Sequence, residues 1–289
     1  MKPCKRLTAT LVLIAAFVMG LSLLLYPTVA NYVNGMHQTR EIASYSESVQ
    51  GLTSAERSEV LKAAEAYNRG LVTRENVYGL SASERSAYPD LLNVSGSGVM
   101  GYIEIPSLEV RLPVYHGTSD AVLQMAVGHV DWSSLPVGGA CTHAVLSGHR
   151  GLPSSKLFTD VDRLVVGDIF VLQVLEETLT YEVDQIKIVE PEDATDLQIL
   201  EGRDLCTLLT CTPYGLNTHR LLVRGHRVAN RDEAQQVPLI SEAVQIGPMI
   251  VAPFLAVPLL LILLVVVLFG GRSRQADAGS SGLKVKDGL

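Results

Sequence analysis

Cys211 and Arg220 stand on the two arms of a short reversal of the chain. The run TLLT at residues 207–210 leads into Cys211, Pro213 interrupts it, and the chain continues from Arg220 as RLLVR. If both arms are strands of one hairpin, the thiol and the guanidinium can face each other. A thiolate is a strong nucleophile, and a nearby cation favours both the thiolate and an oxyanion formed from a carbonyl group. The pair therefore predicts acyl transfer through a thioester.

A nucleophilic cysteine needs a partner for proton transfer, and His149 is the best candidate. It ends the run AVLSGH and precedes RGLP, so small residues leave it accessible at the end of a strand. Arg224 rivals Arg220 because both lie on one face of a regular strand, although Arg220 is nearer the turn. Spacing alone leaves several other histidines open, namely His37, His116, His129, His143, His219 and His226.

Short strands must position these side chains. Between residues 99 and 229 the chain shows many short apolar or alternating runs separated by Gly- and Pro-containing turns, a pattern typical of an antiparallel barrel or sandwich. The preceding residues are polar and helix-like, and Thr53 with Glu56 and Ser81 with Glu84 fit capping boxes at two helix starts.

Two charge-free apolar runs, at residues 7–30 and 243–271, flank this region. About 20 apolar residues span a bilayer as a helix, so both runs predict membrane spans. The first can also be read as a signal peptide, because TVA at residues 28–30 resembles a cleavage site. Basic residues in both tails predict a multi-pass protein of the cell membrane with both tails cytoplasmic and the middle of the chain outside. The predicted segments are 1–6 (cytoplasmic N-terminus), 7–30 (span or signal anchor), 31–75 (helical lead-in), 76–98 (lid and linker), 99–229 (barrel), 230–242 (linker), 243–271 (span) and 272–289 (basic cytoplasmic tail).

Charge and cysteine usage narrow the chemistry. The net charge of −7 gives no indication of a nucleic-acid partner. The exported segment carries Cys141, Cys206 and Cys211, an odd number that leaves at least one thiol free, and Cys141 and Cys206 read as small buried core residues. No cysteine or histidine cluster has the spacing of a zinc site, and no metal or other cofactor is expected.

Five stretches carry a resemblance to a known family. They are GVMGYIEIP at 98–106, LPVYHGTS at 112–119, SLPVGG at 134–139, HAVLSGHRGLP at 143–153 and TLLTCTPYGLNTHRLLVRG at 207–225. Together they resemble the class C sortases, the pilin-polymerising transpeptidases of Gram-positive bacteria, over residues 55–228.

The resemblance implies a mainly β fold, an eight-stranded sortase β-barrel with short helices. It implies that Cys211 attacks the Thr–Gly bond of an LPXTG-like signal and that Arg220 holds the substrate and the oxyanion. His149 would protonate the departing glycine amine and then take a proton from a lysine amine of the next pilin subunit. The implied partners are LPXTG-type pilin subunits and the bacterial cytoplasmic membrane.

Class C sortases usually carry a lid with an Asp-Pro-aromatic motif before the barrel, and this chain lacks it. Asn76-Val77-Tyr78 is the nearest equivalent, which makes Tyr78 the candidate aromatic residue of a weakly latched lid, since Asn76 cannot form an ionic contact. The alternatives are a sortase that anchors surface proteins to peptidoglycan through a cell-wall precursor, a hydrolytic cysteine protease, and a non-enzymatic surface or pilus protein. The chain contains no LPXTG of its own, which argues against the last.

Overall fold

The computed structural model describes residues 3–74 and 78–230, with side chains from residue 11 onward. Within these ranges the α-helices are α1 (Pro3–Gly51), α2 (Ser54–Val72), α3 (Ala82–Ala87) and α4 (Asp120–Met125). The strands are β1 (Val99–Ile105), β2 (Val110–His116), β3 (Val127–His129), β4 (Thr142–Ser147), β5 (Ile169–Val174), β6 (Glu177–Val189), β7 (Asp204–Thr212) and β8 (His219–Arg227). Short 3-10 turns lie at Tyr88–Asp90, Pro106–Leu108, Val161–Arg163 and Thr195–Leu197.

The eight strands close into one barrel in the order β1-β2-β3-β4-β7-β8-β6-β5. The eight-stranded barrel expected from the resemblance is thus confirmed. The purely antiparallel arrangement expected from the strand pattern is wrong, because β2 pairs with β3 and β4 pairs with β7 in parallel. A parallel pair needs a crossover connection, which α4 supplies for the first pair and the β5–β6 hairpin region for the second.

The barrel interior is filled by alternating side chains of every strand. Ile103, Leu146, Phe170, Leu208 and Val223 are fully buried in this core. The alternate residues along each strand point to the outer face, because successive side chains of a strand lie on opposite sides. β5 and β6 form an antiparallel hairpin, with β6 beginning at Glu177 directly after the turn.

The N-terminal helix α1 runs without a break from Pro3 to Gly51 and includes Pro27. Its stretch Leu11–Gly51 is long and apolar enough to cross a membrane by length and composition, which suggests a membrane anchor. The helix therefore shows no end near residue 30, where the sequence predicts the end of the span. The second predicted span, residues 243–271, lies outside the described residues.

Amide side chains in the later part of α1 hold the segment that follows His149. Asn34 Nδ2 donates to the Ser154 carbonyl at 2.8 Å, and the Asn31 side-chain oxygen accepts from the Lys156 backbone N–H at 3.0 Å. Gln38 Nε2 donates to the Met125 carbonyl at 2.6 Å. Both predicted capping boxes are present, at the starts of α2 and α3.

Candidate active site

The β7–β8 hairpin sets Cys211 directly opposite Arg220 in an antiparallel register. Directly opposed residues share one face of a sheet, with Cβ atoms about 5 Å apart. The turn is closed by the Pro213 carbonyl, which accepts from the backbone N–H groups of Leu216 and Asn217 at 3.2 and 3.0 Å. Both Cys211 and Arg220 are partly exposed, so a substrate can reach them.

The parallel pairing of β4 with β7 brings His149 to the same end of the barrel. Ser147 lies opposite Leu209. One step further, the Gly148 N–H donates to the Leu209 carbonyl at 3.0 Å, and the Thr210 hydroxyl donates to the Gly148 carbonyl at 2.8 Å. Because the two strands advance together, His149 leaves β4 at the level of Cys211. The structure therefore places Cys211, His149 and Arg220 at one end of three adjacent strands.

Gly148 is required for this path of the chain. A Cβ atom there would come within 2.5 Å of the Phe158 ring, which fills the space beside the strand end. Phe158 is fully buried, and its N–H donates to the His149 carbonyl at 3.1 Å. A larger residue at position 148 would displace either the ring or the histidine.

Arg224, the alternative to Arg220, forms an ion pair with Asp184. Its Nε and terminal nitrogen bind the two carboxylate oxygens of Asp184 at 2.9 and 3.2 Å, with both side chains largely buried. Arg220 instead donates to the neutral carbonyls of Asn217 and His219 at 3.3 and 3.2 Å. The charge of Arg220 thus faces no carboxylate in these contacts, which suits it to an anionic reaction centre.

Two of the rival histidines are buried and bonded within the structure. Burial lowers the pKa of His129 to about 4, and its ring lies 2.8 Å from both the Tyr88 hydroxyl and the Ser134 carbonyl. Burial also lowers the pKa of His143, whose ring contacts the Gln198 carbonyl and the Thr207 hydroxyl. His149 is partly exposed, as a group that exchanges protons with a substrate must be.

The remaining histidines lie away from this arrangement or at its edge. The two ring nitrogens of His116 lie 2.8 and 2.6 Å from the Gly98 and Leu91 carbonyls. His219 lies 3.3 Å from Glu190, and His226 lies 3.8 Å from Asp184.

The three cysteines differ in their surroundings. Cys206 is fully buried inside the barrel, as expected, and this burial raises the pKa of its thiol. Cys211 faces the opposite side of the same strand. The expectation that Cys141 is buried is wrong, because it is partly exposed at a turn with φ of 61°, where its sulfur accepts from the Gly202 N–H at 3.1 Å.

An apolar strip continues from Cys211 across the outer face of the barrel. Val145, Leu197 and Leu222 are buried there, with Leu209, Val189, Val130, Ala194 and Trp132 packed around them. The strip is covered in part by the β6–β7 segment, residues 190–203, which contributes Ala194 and Leu197. An extended apolar peptide that approaches Cys211 along this face would meet a hydrophobic surface.

Tyr78 packs against the β6–β7 segment. Its ring meets the Trp132 ring edge to face, with centroids 5.3 Å apart, and its hydroxyl accepts from Gln198 Nε2 at 2.9 Å. The hydroxyl also lies 3.4 Å from the Ala194 carbonyl. Asn76, the other lid candidate, lies outside the described residues. Trp132 was not predicted from the sequence, since a lone tryptophan in a loop gives no spacing signal.

Arg150 is a second residue that the sequence reasoning did not select. Its guanidinium forms an ion pair with Asp162 and reaches Thr212 and Tyr214, which flank Pro213 after Cys211. Its position next to His149, within the family-like stretch at residues 143–153, could have pointed to it.

Comparison with known proteins agrees with this architecture. A family model described as Sortase domain matches residues 103–228. Sortase C1 from Streptococcus agalactiae is 50% identical, with a TM-score of 0.65 over 66% of this chain and 100% of that one. Sortase C from Streptococcus pneumoniae, whose structure is described as informative about pilin substrate specificity, is 42% identical, with a TM-score of 0.60 over 66% of this chain and 97% of that one.

Sortase D of Bacillus subtilis is 31% identical over 131 residues, which span 44% of this chain and 63% of the relative. The match thus covers less than two thirds of that relative. The barrel and these matches define the class: the chain belongs to the sortase family of cysteine transpeptidases. Within the family it groups with the class C sortases, to which these solved structures belong.

Proposed function

We propose that this protein is a membrane-anchored class C sortase that joins pilin subunits through a thioacyl intermediate. The observation that carries the proposal is the strand register, with Cys211 opposite Arg220 and His149 emerging beside them. The identity of 40–50% to class C sortases supports pilin polymerisation over peptidoglycan anchoring.

The chemistry follows from the three side chains. The Cys211 sulfur attacks the threonine carbonyl carbon of an LPXTG-like signal, and the Arg220 guanidinium stabilises the resulting oxyanion. The Thr–Gly C–N bond then breaks while His149 gives its proton to the glycine amine. A lysine amine of a second pilin subunit attacks the thioester, loses a proton to His149, and releases the Cys211 thiolate. The free energy of the cleaved amide is kept in the thioester, so the transfer needs no external energy source.

The apolar strip beside Cys211 suits the leucine and proline of such a signal. The partly exposed members Leu209, Val189 and Ala194 would contact these side chains while the scissile bond lies over the sulfur. Full burial of the leucine side chain would contribute about 1.5–3 kcal/mol to binding.

Helix α1 and the charge-free run at residues 243–271 would anchor the protein with the barrel outside the cell. Labelling of intact cells with a membrane-impermeant thiol reagent tests this placement. Cys211 should be labelled in intact cells, and a cysteine introduced at Ser280 only after lysis; labelling of Ser280→Cys in intact cells would contradict the second span.

The activity is tested with the full-length protein in detergent, an LPXTG peptide and a lysine-bearing pilin. Mass spectrometry should find the peptide joined to a pilin lysine, and hydroxylamine should trap the thioester as a hydroxamate. Cys211→Ala should abolish both products, whereas Cys141→Ser, at the distant turn, should retain them. Transfer only to a cell-wall precursor would indicate an anchoring sortase, hydrolysis alone a protease, and no cleavage a non-enzymatic protein.

A further inference from the structure

The segment that carries His149 and the turn that follows Cys211 are connected through one side chain. Arg150 forms an ion pair with Asp162 at the far end of its own loop. One terminal nitrogen of its guanidinium lies 3.5 Å from the Thr212 hydroxyl, and the Arg150 Cζ atom lies 5.9 Å from the centroid of the Tyr214 ring. Arg150 thus neighbours His149 in sequence and contacts the residue next to Cys211 in space.

The backbone makes a second contact between the same two segments. Gly151 has φ of 76°, and a Cβ atom there would lie 3.0 Å from the Tyr214 ring. The ring therefore packs on the main chain of the His149 segment, beside the Arg150 guanidinium. The two contacts involve neighbouring residues on each side, so the segments meet over a small surface.

Arg150 occupies this position at an energetic cost. Its side chain is only 10% exposed, and the buried Nε–H has no hydrogen-bond partner among the described residues. Leaving a buried donor unpaired is unfavourable, because its hydration is lost without a replacement hydrogen bond. A smaller residue would avoid this cost, but it could not reach Asp162, Thr212 and Tyr214 together.

We propose that Arg150 is a positioning residue that holds His149 and Cys211 at a set separation for both proton transfers. The inference rests on the proposed transpeptidation and adds a residue to it. His149 must deliver a proton to the glycine amine and accept one from the lysine amine above the same sulfur. Proton transfer requires heavy atoms within about 3 Å, and a displacement of about 1 Å can reduce the rate about 100-fold.

Steady-state kinetics of the full-length protein test this role. Arg150→Ala should lower kcat about 10- to 100-fold, the range expected for a sub-ångström to 1 Å displacement, with KM within a factor of two. Arg150→Lys should recover part of kcat, since an ammonium keeps the ion pair with Asp162 but lacks the planar fork that extends to Thr212. Arg163→Ala, an exposed arginine of the same loop, is the matched control and should leave both constants unchanged. A rise in KM with unchanged kcat in Arg150→Ala would overturn the proposal.

Hydrogen–deuterium exchange separates this inference from the transpeptidase proposal because it needs no activity. In Arg150→Ala, exchange should rise in peptides covering both residues 149–157 and residues 212–218, while Arg163→Ala changes neither. A rise in exchange confined to residues 149–157 would mean that Arg150 only closes its own loop with Asp162. That result would refute the proposed link to the segment after Cys211. If the wild-type protein forms no ligated product, the proposed transpeptidase function is contradicted. The exchange measurement still tests whether Arg150 links the two segments.

Discussion

At the scale of single residues, Arg220 and Arg224 lie on one face of β8 but have different partners. Arg224 is held by both oxygens of Asp184, an arrangement that stabilises the β6–β8 pairing. Arg220 is oriented by two neutral carbonyls of the turn. Among the residues that the structure describes, these contacts orient the guanidinium without a carboxylate, which leaves its positive charge available to a transient oxyanion.

Replacing each arginine with lysine should separate these roles. Arg220→Lys should reduce kcat about 100-fold or more, because removing a donor to an oxyanion costs about 10²–10³ in rate. Arg224→Lys should keep most activity but lower the free energy of unfolding by about 1–3 kcal/mol, through loss of the paired hydrogen bonds to Asp184. Peptide cleavage rates and chemical denaturation measure the two effects. Equal losses of activity would contradict the assignment of Arg220.

At the scale of elements, the β6–β7 segment connects Tyr78 to the barrel face that carries Cys211. Gln198 binds the Tyr78 hydroxyl through its side chain, and its carbonyl contacts the buried ring of His143. Tyr78 also contacts Trp132, which borders the apolar strip. A lid acting through Tyr78 would thus close against the β6–β7 segment.

In Tyr78→Ala, a thiol reagent should therefore modify Cys211 faster than in the wild type, because fewer side chains cover the apolar strip. Tyr78→Phe keeps the edge contact with Trp132 but loses the hydrogen bond from Gln198. Its Cys211 labelling rate should therefore lie between those of Tyr78→Ala and the wild type. Labelling rates by mass spectrometry provide the measurement. An unchanged rate in Tyr78→Ala would remove Tyr78 from the lid role.

Helix α1 is a second element that acts on the site, through the segment after His149. The double variant Asn34→Ala, Gln38→Ala should raise hydrogen exchange in residues 152–157, since the hydrogen bonds of these side chains to the Ser154 carbonyl and the Ser155 hydroxyl are lost at about 1 kcal/mol each. Thr39→Ala is the control, because that hydroxyl bonds the Gly35 carbonyl within the helix. Unchanged exchange in the double variant would show that the loop holds its conformation without the helix.

At the scale of the whole molecule, buried histidines should make stability depend on pH. Burial holds the pKa of His129 at about 4, whereas an unfolded histidine titrates near 6.5. Below pH 6.5 the unfolded state takes up a proton that the folded state refuses, so stability falls as pH falls towards 4. His129 alone should contribute a loss of about 2 kcal/mol between pH 7 and pH 5. Denaturation at the two pH values measures it, and His129→Gln should reduce the difference; an identical loss in that variant would contradict the assignment.

The local pattern was sufficient to predict several parts of this molecule. Pro213 and the apolar arms around it indicated the hairpin, in which Cys211 pairs directly with Arg220 across the turn at residues 213–218. The capping boxes that begin at Thr53 and Ser81 are likewise local signals, because each depends on two residues three positions apart.

Features that depend on distant parts of the chain could not be predicted in this way. The parallel pairing of β4 with β7 joins residues far apart in sequence, and strand period gives no direction of pairing. The contact of Arg150 with Thr212 follows from that pairing. Cys141 was predicted to be buried because free cysteines are often core residues, whereas it lies at a turn where its backbone has a positive φ.

The parallel pairing of β4 with β7 also bears on when the site forms. The histidine segment follows an early strand, while the cysteine and the arginine belong to the last two strands of the barrel. Pairings between distant segments form slowly, because the intervening chain must be ordered first. On the proposed placement outside the membrane, Cys211 would therefore lack its proposed proton partner His149 until β4 and β7 pair. Competence for acyl transfer would then depend on closure of the barrel.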